Sequence, residues 1–86
     1  MPRPALSDND RLQGERLGAE LRRLRGARTA ADVSRAAGVP LDTLRKLEQG
    51  GTPSPGFFLV ARLARELDMP LNRLADKAMP KRGRRR

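Results

Sequence analysis

Residues 29–49 read TAADVSRAAGVPLDTLRKLEQ. Thr29 is an N-cap type residue, and Asp32 stands three positions on, near the spacing of a capping box. Val33 and Ala37, four apart, mark one face of a helix over Ala30–Ala37. Gly38 then supplies a residue that tolerates φ > 0, where such a helix ends. Val39 is an apolar plug, and Pro40 suits the start of a new helix because its missing N–H would be unpaired there anyway. A second helix follows over Leu41–Gln49, with Leu44 and Leu47 inward. Ser34 falls where the two helices would cross, a place that needs a small side chain.

Two short helices at a steep angle, joined by a turn of three or four residues, form a helix-turn-helix. The competing reading of the same spacing is an ordinary helical hairpin in a small bundle. Upstream, Ser7-Asp8-Asn9-Asp10 offers N-cap oxygens to a helix from Asp10 to Ala27. Leu17, Leu21 and Leu24 recur on one face of it. Glycines weaken a helix interior by about 1 kcal/mol each relative to Ala, so the Gly14 end is expected to fray. Gly18, beside the apolar stripe, is expected to permit close packing.

Downstream, Gly50–Gly56 (GGTPSPG) is the clearest loop. A fourth helix is expected over Pro55–Leu67, inward at Phe57, Val60, Ala61, Ala64 and Leu67. Met69-Pro70 breaks it, and a fifth, over Leu71–Lys77, would turn Leu71, Leu74 and Ala75 inward. The expected organisation is a flexible N-terminus at 1–8, a helical domain at 9–77 and a disordered basic tail at 78–86. The fold class is all-α, a compact five-helix bundle.

Composition bounds the chemistry. The chain has 86 residues, room for one domain. With no Cys and no His, thiolate metal sites and Ser/His/Asp or Cys/His catalysis are excluded; an enzyme is not expected, nor a cofactor or metal. The net charge is +9; residues 80–86 (PKRGRRR) carry five positive charges and no acid, which leaves +4 for residues 1–79. So basic a chain is expected to meet a polyanion. The aromatics are Phe57 and Phe58 alone, too few for the stacking platforms that read single strands. No apolar run approaches the ~20 residues of a membrane span, so a soluble, cytoplasmic, nucleoid-associated protein is expected, with no membrane partner. Sixteen Arg against three Lys hints at a GC-rich bacterial source.

The sequence resembles the lambda-repressor-like, Xre-type helix-turn-helix domains. The resemblance covers about residues 15–76. It is carried by Leu17-Gly18, LRRLR (21–25), Thr29, AGV (37–39), Thr43-Leu44, Leu47-Glu48-Gln49-Gly50, Pro55, Phe57 and LARELDMPLNRLA (63–75). It implies five helices, binding to double-stranded DNA and regulation of transcription, usually as a dimer. It places base readout on Leu41, Asp42, Thr43 and Lys46, with Arg45 nearby. The family often has Gln or another polar donor where Ala30 and Leu41 stand, which implies modest specificity or more reliance on DNA shape. Arg23 and Glu48 match a family pair that bridges helix one to helix three.

Several roles stay open. Leu41 suits a thymine methyl, but also its own core or a partner. Asp42 suits a cytosine amino group, but also the helix dipole. Arg45 and Lys46 suit guanine, but also phosphate or solvent. Phosphate contacts are expected at Thr29, at Ala30 and the free N–H groups beside it, and at Gln49, Gly51 and Thr52. Gly50 and Gly51 allow backbone approach to the phosphate strand, and Gly50 equally fits a helix C-cap; both roles can hold at once. Arg22, Arg25 and Arg28 are expected on a solvated face that sees the DNA field. Tail residues Lys81, Arg82, Arg84, Arg85 and Arg86 are expected to add nonspecific attraction, or only solubility.

The leading function is therefore a DNA-binding transcriptional regulator acting as a repressor. A protein-interaction module, such as an antitoxin or adaptor, and a nonspecific nucleic-acid binder driven by the tail are the alternatives. A homodimer, if formed, would use helix five and the end of helix four around Met69, Leu71 and Leu74.

Overall fold

A computed structural model describes residues 7–79, which form five helices. They are α1 (Asp8–Arg25), α2 (Ala30–Ala37), α3 (Leu41–Glu48), α4 (Phe57–Glu66) and α5 (Leu71–Ala78). No strand occurs among the described residues. Residues 1–6 and 80–86, including the five basic tail residues, lie outside them.

Local chemistry explains most helix ends. Ser7 begins α1 with a reciprocal capping box: the Asp10 N–H donates to Ser7 Oγ at 3.0 Å, and the Ser7 N–H donates to Asp10 Oδ2 at 3.1 Å. The helix therefore starts two residues before the expected Asp10, and it stops at Arg25 rather than Ala27 because Gly26 turns to φ +58°. Thr29 Oγ1 caps α2 by accepting from the Asp32 N–H at 3.0 Å. Gly38, at φ +73°, ends it in the left-handed region. Pro40 occupies the N-cap position of α3, where no side chain caps the helix.

The α1 helix packs on α3 and α5; α2 packs on α3 and α4; α4 meets α5. Leu21, Val33, Leu44, Leu47, Leu63 and Leu74 meet in one core, fully buried, and Val39 plugs the α2–α3 turn as expected. A fully buried Leu contributes about 1.5–3 kcal/mol through removal of apolar surface from water. Ser34 is buried at the α2–α3 crossing, and its hydroxyl donates to the Val39 carbonyl. The same bond that satisfies this buried hydroxyl ties the turn to α2.

The expected fraying at Gly14 does not occur. Gly14 is buried within a continuous α1, because the loop after α3 lies against it; a Cβ there would stand 2.9 Å from Pro53 Cα. Gly18 is the closer contact. Its Cβ would fall on the Leu47 carbonyl oxygen and 3.0 Å from both Glu48 O and Gly50 N. Backbone meets backbone here, and α1 thereby sets the position of the C-terminal end of α3.

The inward faces of the last two helices differ from expectation. In α4 the buried residues are Leu63 and Ala64, and Phe57 is exposed. Ala64 is buried and Val60 and Leu67 pack against the core as expected; Leu63 is buried beside them, and Phe57 in the first turn stands outside the stripe. In α5 the buried pair is Leu74 and Ala78, four apart, with Leu71 and Ala75 exposed. Ala78, expected in the tail, thus joins the core, and Leu74 belongs to the core rather than to a dimer surface.

Candidate nucleic-acid interface

One turn of helix is 3.6 residues, so residues seven apart lie almost in line. On α3, burial of Leu44 and Leu47 leaves Asp42 and Gln49 near the centre of the outward face, with Arg45 to one side and Lys46 to the other. All four are exposed, while Leu41 and Thr43 are half-buried at the flanks. Of the residues proposed for base readout, the fold thus brings Asp42, Arg45 and Lys46 together on the open surface. Leu41 and Thr43 border it.

Arg25 holds α3 in place. Its guanidinium makes a two-pronged contact with Glu48, Nε to Oε2 and Nη2 to Oε1, both at 2.8 Å. Its Nη1 donates to the Arg28 carbonyl, also at 2.8 Å. One side chain thereby ties the end of α1, the turn before α2 and the last residue of α3. The hydrogen bonds from Arg25 to Glu48 raise the guanidinium pKa further, so it stays charged.

The expected bridge from Arg23 to Glu48 is not present. Arg23 lies two residues, about 200° of helix, from Arg25. It turns back to Glu20, with Nε 3.1 Å from Oε1 and Nη2 2.5 Å from Oε2. The Arg23 hydrogen bond holds the Glu20 carboxyl below its ordinary pKa, against the opposing effect of burial. Arg25 and Arg28 are likewise not merely solvated: Arg28 Nη2 meets Glu66 Oε2 at 2.8 Å and links the α1–α2 turn to α4.

A cleft of about 240 Å³ opens between the end of α1, the start of α2 and the end of α3, lined by Arg22, Arg25, Ala30, Arg45, Glu48 and Gln49. Glu48 neutralises Arg25. Arg22 and Arg45 have no ion-pair partner among the described residues. The cleft therefore carries a local positive excess. At its edge, the Thr29 cap takes the Asp32 N–H, and the Val33 N–H goes to the Thr29 carbonyl. The first N–H groups of α2, at Ala30 and Ala31, have no acceptor within the helix and favour an anion. Arg22, expected on a solvated face that sees the DNA field, lies about one turn before Arg25 and lines the cleft.

Beyond α3, Gly50 takes φ +78° and donates its N–H to the Leu47 carbonyl, while the Gly51 N–H donates to the Lys46 carbonyl, each at 3.0 Å. These two bonds form a Schellman cap. Gly50 also lies against Glu15, whose Cα would be 3.2 Å from an added Cβ. The N–H of Gly51 is already used, which leaves this exposed residue as a place for close approach, not a donor. Gln49 is exposed and Thr52 half-buried beside it. Gly51 lies under the Lys46 stem; a Cβ would be 3.3 Å from Lys46 Cγ. Lys46 therefore leans toward the loop, while Arg45 lines the cleft on the other side.

An outward helix held across a second one, flanked by a cationic cleft and free helix N–H groups, defines a helix-turn-helix domain of the DNA-binding kind. The profile of the family described as "Helix-turn-helix domain" matches residues 16–76, and the chain belongs to that family. The match agrees with the lambda-repressor-like, Xre-type resemblance of the sequence. No curated protein matches the chain. Among the described residues, no helix is long and apolar enough to cross a membrane.

Proposed function

We propose that this chain is a sequence-specific double-stranded DNA-binding transcriptional regulator that lays α3 in the major groove and acts as a repressor. The observation that carries the proposal is the placement of Asp42, Arg45 and Lys46 on the open face of α3, beside the cationic cleft of Arg22 and Arg45. Phosphates on either side of the groove would meet Thr29 and the N–H groups of Ala30 and Ala31 on one flank. Gln49, Gly51, Thr52 and Lys46 would meet them on the other. The Thr29 hydroxyl accepts from Asp32 and keeps its own proton to donate. A domain seated this way occupies the duplex and excludes other proteins from it, and repression is the direct consequence. The basic tail at 80–86 adds nonspecific attraction. The test is selection of bound sequences from a random duplex pool at physiological salt: one enriched motif supports the proposal, and an unenriched pool sinks it.

A second copy of the chain is the partner this reading calls for. The eight residues of α3 span about 12 Å, or only three to four base pairs, too few to single out one site. Among the described residues, Phe57, Phe58, Leu71 and Met79 are the large apolar ones left exposed, at 63%, 74%, 39% and 52%. Phe57 and Leu71 line one apolar cleft of about 500 Å³ between α4 and α5. Phe58 stacks edge-on against Phe57, with centroids 5.2 Å apart. Such a cluster is a surface that water penalises. A palindromic motif with half-sites about one helical turn apart would support the dimer. A monomer by light scattering that co-purifies with one different stoichiometric protein would favour the antitoxin or adaptor role instead.

A further inference from the structure

Side-chain bonds tie α4 to both ends of α2. Arg28, one residue before the Thr29 cap, meets Glu66 at 2.8 Å. Gly38, which ends α2, accepts at its carbonyl from Arg62 Nη1 at 3.3 Å. The α2 helix is therefore held to travel with α4. A second unit forms on the other side, where α1 packs on α5 and holds α3 through the Gly18 backbone contact and the Arg25–Glu48 bridge. The two units join where α2 meets α3, and α4 touches α5 only sparsely.

The cleft of about 500 Å³ lies at that sparse contact. Its floor is Leu17, Val60 and Leu74, buried or half-buried, and its rim is Phe57 and Leu71, both exposed. Phe57 is about 140° of helix from Arg62 and about 180° from Glu66, so α4 borders the cleft along one edge and grips α2 along the other. Although 34% of the chain is charged, no charged side chain lines the cleft among the described residues, and its one polar side chain there is Asn72.

That lining selects the occupant. A charged group would lose its water with a single amide in exchange, whereas apolar surface gains by leaving water. The volume is that of a small-molecule site, about 300–1,000 Å³. A second copy, carrying the same +9 charge, would cover the rim and leave the floor to be filled. We infer that the α4–α5 cleft binds a small uncharged apolar molecule, with one polar group on the Asn72 amide, and that its entry wedges α4 from α5 and moves α2 against α3. Thr29 and the free N–H groups of α2 then no longer match the phosphate spacing set by α3, and the duplex is released. The ligand site stands on the cleft alone; the coupling rests on the DNA reading proposed above.

The probe for this site is N-phenyl-1-naphthylamine, an uncharged fluorophore whose emission rises in apolar surroundings. It is titrated into the full chain and into Ala75→Trp, Phe58→Ala and the double variant Arg62→Ala/Glu66→Ala, each confirmed folded by circular dichroism. Ala75 lines the cleft yet is exposed, so a large side chain there fills the space without entering the core; Phe58 does not line it. Wild type and Phe58→Ala are expected to bind the probe, and Ala75→Trp to lose about tenfold or more in affinity. In anisotropy of a labelled random duplex pool, saturating probe is expected to weaken duplex binding about 5- to 150-fold, and saturating duplex to weaken probe binding by the same factor, because coupling is reciprocal. The double variant is expected to bind the probe and lose the coupling. Equal probe affinity in wild type and Ala75→Trp overturns the site, and probe and duplex that bind independently overturn the coupling. A probe affinity that falls as protein concentration rises, with a dimer in light scattering, makes the second copy the occupant and overturns the inference. A chain that binds no duplex sinks the DNA reading and the coupling with it, while the probe titration still decides the site.

Discussion

At Gly18 an added methyl group would land on the Leu47 carbonyl oxygen, while at Gly38 it would meet nothing within 4 Å. The two glycines are needed for different reasons. Gly18→Ala must push α1 away from α3, and its cost is expected at the upper end of about 1–3 kcal/mol for overpacking. Gly38→Ala fits sterically but must hold φ at +73°, which costs about 1–2 kcal/mol for a residue with a Cβ. Urea unfolding of both variants checks the order: Gly38→Ala should be the milder. Equal, near-neutral effects would mean that α1 and α3 do not touch through their backbones. Asp68 shows the same left-handed geometry without glycine, at φ +57°, where the bonds from Asp68 to Arg65 and from Met69 to Ala64 cap the end of α4.

At the scale of elements, α3 is held by buried apolar side chains and by one charged bridge. Leu44 is fully buried beneath it, and Leu44→Ala is expected to cost about 2–5 kcal/mol as a core truncation. Arg25 secures its C-terminal end through Glu48, whose side chain is only 8% exposed. Arg25→Ala would leave that carboxylate short of partners, at about 1.5–3 kcal/mol for charged hydrogen bonds. Arg23→Ala is expected to cost less than Arg25→Ala, since Arg23 is largely exposed and its pair lies within one helix, although it leaves the buried Glu20 carboxylate without its partner. Thermal unfolding of the two Arg variants separates the roles; a larger loss for Arg23→Ala would refute the assignment of the bridge to Arg25.

For the whole molecule, charge sets behaviour toward salt and acid. Binding to duplex should weaken with a log–log slope near −0.9 for each phosphate neutralised, and removing residues 80–86 should flatten the slope while keeping any sequence preference. Loss of preference together with the tail would place recognition outside α3. In acid, Glu20 matters because the Arg23 hydrogen bond lowers its folded pKa. A carboxyl with a lowered folded pKa contributes stability that is present above its unfolded pKa and lost as pH falls through the folded value. Glu20→Gln is therefore expected to be less stable than the wild type near neutrality and to approach it below about pH 4.5. A gap that stays constant from neutral to acid pH would assign its cause to packing instead.

Caps and turns were legible in the sequence because they depend on neighbours a few positions away. Thr29 with Asp32, and Gly38 with Val39, define the bounds of α2, and Leu44 with Leu47 the inward face of α3, without reference to the rest of the chain. The α1 start was legible in kind, through Ser7 and Asp10, though not to the residue. What only the tertiary structure decided were choices among faces that local pattern leaves equal. The α4 stripe was legible at Val60, Ala64 and Leu67 but not its edges: Leu63 is buried and Phe57 stands in the open. Arg23 and Arg25 are alike in sequence, but 200° of helix separates them, so only the second faces Glu48. Within the outward face of α3, the residue types were evident. Which of them stands free and which leans aside, Asp42 against Arg45 and Lys46, depended on where α1, α2 and the Gly50–Gly51 cap came to rest.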